Sequence, residues 1–258
     1  MTRGSATGTA LWQERGLRET KAGRVIPLRD HLPGRSTPLV VFLLIAVNVG
    51  VFLYQDSLPL PRLEALVQAY GMVPYEITRG VDLPPPGPHP VYATLLTSMF
   101  MHGGWFHVLG NMWFLWIFGN NVEDVFGRLG FLLFYLVMGL AAAFAQILIG
   151  PASRVPVIGA SGAIAGVMGA YLVFWPAARI DTLVFFFYFI RVVPLSAVFV
   201  LGYWVLIQLL QGTYALGGLA EGGVAWWAHV GGFATGVVAG LLFRGRAREV
   251  TRAFRLHW

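Results

Sequence analysis

Six stretches of this chain, at about residues 38–54, 105–120, 129–149, 159–175, 195–210 and 224–243, are apolar over roughly the 20 residues needed to cross a bilayer. A chain with this many spans must satisfy its backbone hydrogen bonds inside each one, and helices do that segment by segment. The expected fold is therefore an all-α polytopic membrane protein of six transmembrane helices. Composition agrees: 57% of the 258 residues are hydrophobic and 12% are charged, against about 25% charged in a soluble domain. Mean hydropathy is +0.67. The surface left for water is too small for an ordinary soluble protein.

Three parts are expected. Residues 1–36 form a polar tail, residues 37–243 the six-helix membrane domain, and residues 244–258 a basic tail. The first connection, about residues 55–97, holds the amphipathic LEALVQAY and the Pro-rich LPPPGPHP, and is too broken to span. DTLVFFFYFIRVVP, residues 181–194, is apolar but carries Arg191 and Pro194, so it is expected at the interface or leading into the fifth span. Phe185 to Tyr188, Trp226 and Trp227 read as lipid-facing or interfacial anchors.

Basic residues set the orientation. The first tail has seven Lys or Arg and the last has five (Arg244, Arg246, Arg248, Arg252, Arg255), and an even number of spans puts both on one side, expected to be the cytoplasm. The short loops on that side carry Arg128, Arg179 and Arg191. The opposite loops carry Arg62, Arg79 and Arg154. The net charge of +6 comes almost wholly from arginines at the ends of apolar runs, with Lys21 the one lysine. That distribution suits topology and anionic headgroups, so no nucleic-acid partner is expected. The tail before the first span has no apolar core of signal-peptide length, and with no cysteine the chain has neither disulfides nor thiolate metal sites. Arginine usage and short tails suit a prokaryotic plasma membrane.

Polar side chains inside hydrocarbon are costly and point to function. Four stand out: His107 and Asn111 in the second span, Ser161 in the fourth and His229 in the sixth. With the orientation above, these spans run in one direction and each residue sits near its start. All four therefore share one depth, toward the outer face. His107 and Asn111, four apart, share a helical face. Gly232, Gly236 and Gly240 follow His229 on its own face, while Gly159, Ala160 and Gly162 flank Ser161, with Gly166 and Gly169 beyond. Small residues at such spacing let two helices approach closely in lipid, which brings Ser161 within reach of His229. A serine hydroxyl becomes a nucleophile when a histidine takes its proton. Open N–H groups at the start of the fourth helix, with Asn111 and His107, can hold the oxyanion. No carboxylate lies at that depth in any span, so the expected machinery is a Ser-His dyad. Taken singly, the serine and the glycines are ordinary packing residues; their agreement in depth is what argues for chemistry. His31, His89 and His257 fall in aqueous segments and are expected to be ordinary.

The stretches HGGWFHVLGNMWFLWIFGNNVED, GASGAIAGVMGAY and AHVGGFATG, in this order over about residues 97–243, resemble the rhomboid intramembrane serine proteases. The resemblance implies Ser161 as nucleophile, His229 as general base and acid, and His107, Asn111 and the Ser161 backbone N–H as oxyanion hole. It implies that Gly159 forms the turn exposing the serine, that His102 helps shape the first loop, and that Glu123 is the acidic residue frequent after the second span. It also implies no cofactor or metal, substrates that are single-pass transmembrane proteins cut near the outer face at small residues, and gating of their entry by the fifth helix and the loop before the sixth span. Two positions depart from the family pattern. Ala93-Thr94 stands where many members have Trp-Arg, and Ala165 where many have an aromatic ring against the catalytic histidine. The first bears on how the long loop is anchored, the second on how the His229 ring is held.

Two other classes compete. An inactive relative that binds membrane helices typically lacks the serine or the histidine, and both are present. A transporter or channel using the histidines as a relay often shows intramembrane carboxylates and an inverted repeat, which this chain lacks. A three-histidine metal site lacks ligand-like spacing. Physiological substrate and oligomeric state are not legible.

Overall fold

The computed structural model describes residues 25–186, 189–216 and 224–255. Lys21 with most of the first tail, Phe187 and Tyr188, and His257 lie outside the described residues.

Helix α1 (Leu39–Asp56) is followed by two short helices, α2 (Leu60–Tyr70) and α3 (Pro74–Arg79), and by a short helical run, Val91–Phe100. Then come α4 (Trp105–Phe126), α5 (Arg128–Ile149), α6 (Ser161–Phe174), α7 (Ala197–Leu216) and α8 (Trp226–Arg255). Four of these, α1, α5, α7 and α8, are long and apolar enough to cross a membrane. The expected second and fourth spans are the other two. Helix α4 has 22 residues but is diluted by His107, Asn111, Asn120, Asn121, Glu123 and Asp124. Helix α6 has only 14, about 21 Å at 1.5 Å per residue.

Helix α6 is the axis of the bundle. Every residue from Gly162 to Tyr171 is buried, because α4, α5, α7 and α8 all pack on it. The tightest packing is against α8. A Cβ added at Gly232 would strike the carbonyl oxygen of Gly162, and one at Gly236 that of Gly166. Side chains are absent at these crossings because backbone meets backbone there. Gly162 in turn faces the methyl of Ala142 on α5, where an added Cβ would lie 2.6 Å away. The outward faces of the peripheral helices are apolar and exposed, with Leu43, Leu53, Leu129, Val137, Leu148 and Leu242 among them, as lipid contact requires.

The connection between α1 and α4 is more ordered than a broken loop. Its α2 begins at a proline-rich turn, and α3 ends at Gly80 in the left-handed region (φ 64°). Met72 pairs with Val157 in a two-way backbone bridge (3.0 and 2.8 Å), tying the connection to the segment just before α6. Thr97 Oγ1 donates to the Tyr70 carbonyl at 2.7 Å. The loop is thus anchored by main-chain pairing and by buried Thr94 and Leu95.

Two expectations are corrected. The fold is not all-α: Val25–Asp30 (β1), Arg179–Phe186 (β2) and Phe189–Ser196 (β3) form an antiparallel sheet in the order β1-β2-β3. Part of the 1–36 tail is therefore structural, and residues 181–194 are a hairpin running into α7. An unbroken apolar run carries no period that separates strand from helix. Here Val, Ile, Phe and Thr favour the strand, and Pro194 is tolerated because β3 is an edge strand. The second correction concerns the last tail. The described part of 244–258 continues α8 without a break to Arg255, burying Ala247 and Val250, with Thr251 accepting from Trp175 Nε1 at 2.9 Å.

Candidate active site

Ser161 is the first residue of α6. Before it, Gly159 has φ +133°, a conformation that disfavours side chains, and its N–H donates to the Ser98 carbonyl at 2.9 Å. An added Cβ there would lie 2.9 Å from both Cε1 and Nε2 of His107. A bare backbone is therefore needed at this turn on two counts. No side chain caps α6, so the first N–H groups of the helix, including that of Ser161, are left without an intrahelical or capping acceptor.

His229 lies in the first turn of α8, and its Nε2 stands 2.7 Å from Ser161 Oγ. The glycine crossings described above set this distance, since α8 can approach α6 only where Gly232 and Gly236 face Gly162 and Gly166. On the other side of the histidine, Nδ1 is 2.8 Å from Oε1 of Gln208 on α7. The Trp204 ring lies 5.8 Å from the His229 ring, tilted by 41°, and Trp226 meets it edge-on at 6.1 Å. These contacts hold the ring where Ala165 offers no aromatic face.

His107 and Asn111 come from successive turns of α4. The N–H of Gly103 donates to His107 Nδ1 at 3.3 Å. With Nδ1 occupied as an acceptor, a neutral ring carries its proton on Nε2, one of the two ring atoms facing Gly159. Asn111 is buried, and its Nδ2 has no partner among the described residues. Of the two, His107 is the one that lies against the Gly159 turn before α6.

The remaining residues singled out in the sequence take supporting places. His102 is 2% exposed and packs edge-on against His107 at 5.0 Å. Its backbone is clamped by Gln55 of α1, which accepts from His102 N–H at 3.0 Å and donates to its carbonyl at 3.3 Å. Glu123 caps α1: its two oxygens accept from Val40 N–H at 3.1 Å and Val41 N–H at 2.9 Å, which satisfies open amides and opposes the helix dipole. His31 pairs with Asp181 (2.7 Å) and His89 with Asp82 (3.3 Å), both apart from the site. Sequence reasoning missed Gln55 and Gln208. Both are neutral amides inside apolar helices, and such a residue, costly when unpaired, is the signal that could have found them.

Residues 89–246, well over half of the chain, match the Rhomboid domain. Rhomboid protein 1, mitochondrial, of Saccharomyces cerevisiae is 28% identical over 224 residues, 84% of this chain and 56% of that protein. Rhomboid-like protein 11, chloroplastic, of Arabidopsis thaliana is 29% identical over 126 residues, 49% of this chain and 39% of the relative. Rhomboid protease GluP of Bacillus subtilis is 41% identical over 78 residues, 30% of this chain and 15% of the relative. The chain thus spans about half the length, or less, of these relatives. Their names place them in mitochondria, in chloroplasts and in a bacterium, so the prokaryotic plasma membrane expected from composition gains no support. The matched region contains Ser161, His229, His107 and Asn111, and the chain belongs to the rhomboid family.

Proposed function

We propose that this chain is an intramembrane serine endopeptidase that cleaves single-pass transmembrane proteins with a Ser161–His229 dyad. The observation that carries this reading is the 2.7 Å contact between Ser161 Oγ and His229 Nε2. In the reaction, His229 Nε2 takes the serine proton as Oγ attacks the scissile carbonyl. The resulting oxyanion is held by the Ser161 N–H, His107 Nε2–H and Asn111 Nδ2. Collapse of the tetrahedral intermediate breaks the C–N bond, and His229 returns its proton to the leaving amine. Water, deprotonated by the same histidine, then hydrolyses the acyl-enzyme and restores Ser161.

In this reading α1, α4, α5, α6, α7 and α8 are the six spans, with both chain ends in the cytoplasm. At about 21 Å, α6 is shorter than the hydrocarbon core of about 30 Å. Anchored at its Phe174 end, it leaves Ser161 below the outer face, where cleavage occurs near the end of a substrate's membrane segment. The lipid bilayer and a substrate helix are the partners.

The test is reconstitution of the protein in liposomes with a generic single-pass substrate. Cleavage within the substrate's membrane segment is expected from wild type and is abolished by Ser161→Ala and by His229→Ala. Cleavage that survives Ser161→Ala would sink the proposal. Folded wild type that neither cleaves nor reacts with a serine-directed phosphonate would leave the helix-binding reading.

A further inference from the structure

We propose that Gln208 is a positioning residue of the active site, the third member of a Ser161–His229–Gln208 relay whose last group comes from α7. The proposal rests on the protease reading and adds to it a requirement that α7 be seated for the base to be oriented.

The hydrogen bonds around His229 allow one assignment. The Gln208 amide donates from Nε2 to the carbonyl of Trp204, one turn back on its own helix, at 3.2 Å. That contact needs an N–H and fixes which end of the amide is which. Oε1 is then the end turned to His229 Nδ1 at 2.8 Å. Oε1 can only accept, so Nδ1 must carry the ring proton. A neutral imidazole with its proton on Nδ1 presents a lone pair at Nε2, and Nε2 faces Ser161 Oγ. The tautomer that can take the serine proton is thus selected from behind, by a neutral acceptor where soluble triads use a carboxylate. As proton transfer proceeds and the ring becomes cationic, the same Oε1 accepts a charge-assisted bond, which strengthens as charge develops.

Burial gives the contact its worth. Gln208 is 6% exposed, so little water competes for Nδ1. The titratable group facing His229 from α4 is His107, and Ser161 faces it from α6. Trp204 serves twice, its carbonyl orienting the amide and its ring lying beside the imidazole. Helix α7 touches α6 and α8 far less extensively than those two touch each other. Ser161 and His229 come from α6 and α8, which are locked together by glycine crossings. Gln208 is therefore the member of the relay whose position depends on a separable element. Tilting α7 away removes the orienting bond and leaves the dyad in place but the ring free to turn.

The experiment compares wild type, Gln208→Leu and Gln208→Glu in liposomes for cleavage of the single-pass substrate, with full pH profiles. Gln208→Leu is expected to lower kcat by about 10- to 100-fold with KM within about twofold, the usual scale for loss of an orienting partner. Gln208→Glu is expected to keep cleavage and to move the acid limb of the profile to higher pH, because a carboxylate at Nδ1 favours the imidazolium. A purely structural role would lower stability without moving that limb. The tautomer is read independently of catalysis from 15N shifts of His229 in the Ser161→Ala protein. An Nδ1–H ring is expected there while Gln208 is kept, and a mixture of tautomers once Gln208→Leu is added. An unmoved limb in Gln208→Glu together with an Nε2–H ring would overturn the proposal. Inactive wild type with an Nδ1–H ring would instead count against the protease reading and leave the positioning intact.

Discussion

Asn111 is the residue whose chemistry is most exposed by what it does not touch. Its side chain is buried, yet Nδ2 has no partner among the described residues, a state that costs free energy unless a ligand or transition state claims the donor. Asn111→Ala should therefore lower kcat by about 10²- to 10³-fold, the range for removing one oxyanion donor. It should leave the melting temperature nearly unchanged, because no resting hydrogen bond is lost. Steady-state cleavage with a thermal melt of the same preparation checks both halves, and a large stability loss with intact kcat would contradict the assignment. This residue is legible in the sequence through its spacing from His107 on one helical face. The contacts of Gln208, Gln55 and Glu123 are not, because their partners come from distant segments of the chain. Gln208 meets His229, Gln55 meets the His102 backbone, and Glu123 meets the start of α1. Periodicity within one helix says which residues share a face and nothing about which second helix supplies the acceptor.

The pairing of α6 with α8 turns on glycines that a single methyl would disturb. A Cβ at Gly236 would overlap the carbonyl of Gly166, and backbone cannot step aside as a side-chain tip does. Gly236→Ala is expected to destabilise the protein by about 1–3 kcal/mol. It should also cut activity, since it pushes His229 off Ser161. Gly245, further along the same helix, has nothing within 4 Å of an added Cβ. There alanine costs no packing and gains helix propensity, so Gly245→Ala should stabilise by up to about 1 kcal/mol. Thermal melts of the two variants, one helix and opposite signs, separate packing from propensity. This element is legible from the chain alone, since small residues repeating on the face of His229 mark the contact. The sheet is not. Residues 181–194 carry apolar side chains on both faces, so neither a period of 2 nor one of 3.6 stands out. The strand that completes the sheet lies some 150 residues earlier, in what reads as a polar tail.

That strand joins distant parts of the molecule. β1 lies lengthwise along α4: the Pro27 carbonyl accepts from Trp113 Nε1 at 2.8 Å, and Asp30 Oδ2 accepts from Asn121 Nδ2 at 2.8 Å. The same Oδ2 accepts from the hydroxyl of Tyr171 on α6 at 2.8 Å. One carboxylate thus ties the strand to the helix of His107 and to the helix of Ser161, at their ends far from the site. Arg29 and His31 turn instead to Asp181, at 2.8 and 2.7 Å. Among the described residues no basic side chain is within ion-pair distance of Asp30. Burial therefore dominates over the two hydrogen bonds and raises its pKa from 3.8 to about 6. The sign for stability follows from which state holds the proton. Below about pH 4 both states are protonated. Between about pH 4 and 6 the unfolded chain has released a proton that the native state keeps, so stability falls as pH rises through that window and levels off above it. Asp30→Asn keeps an acceptor for Asn121 and Tyr171 but cannot ionise. Relative to wild type it should gain on the order of 2 kcal/mol between pH 4 and pH 7, and most of that gain should come before pH 6. Melting temperatures of both proteins in one detergent at pH 4, 5, 6 and 7 decide it: curves that stay parallel across the window would mean that Asp30 is already ionised in the folded protein and that the join between strand and helices is an ordinary charged contact.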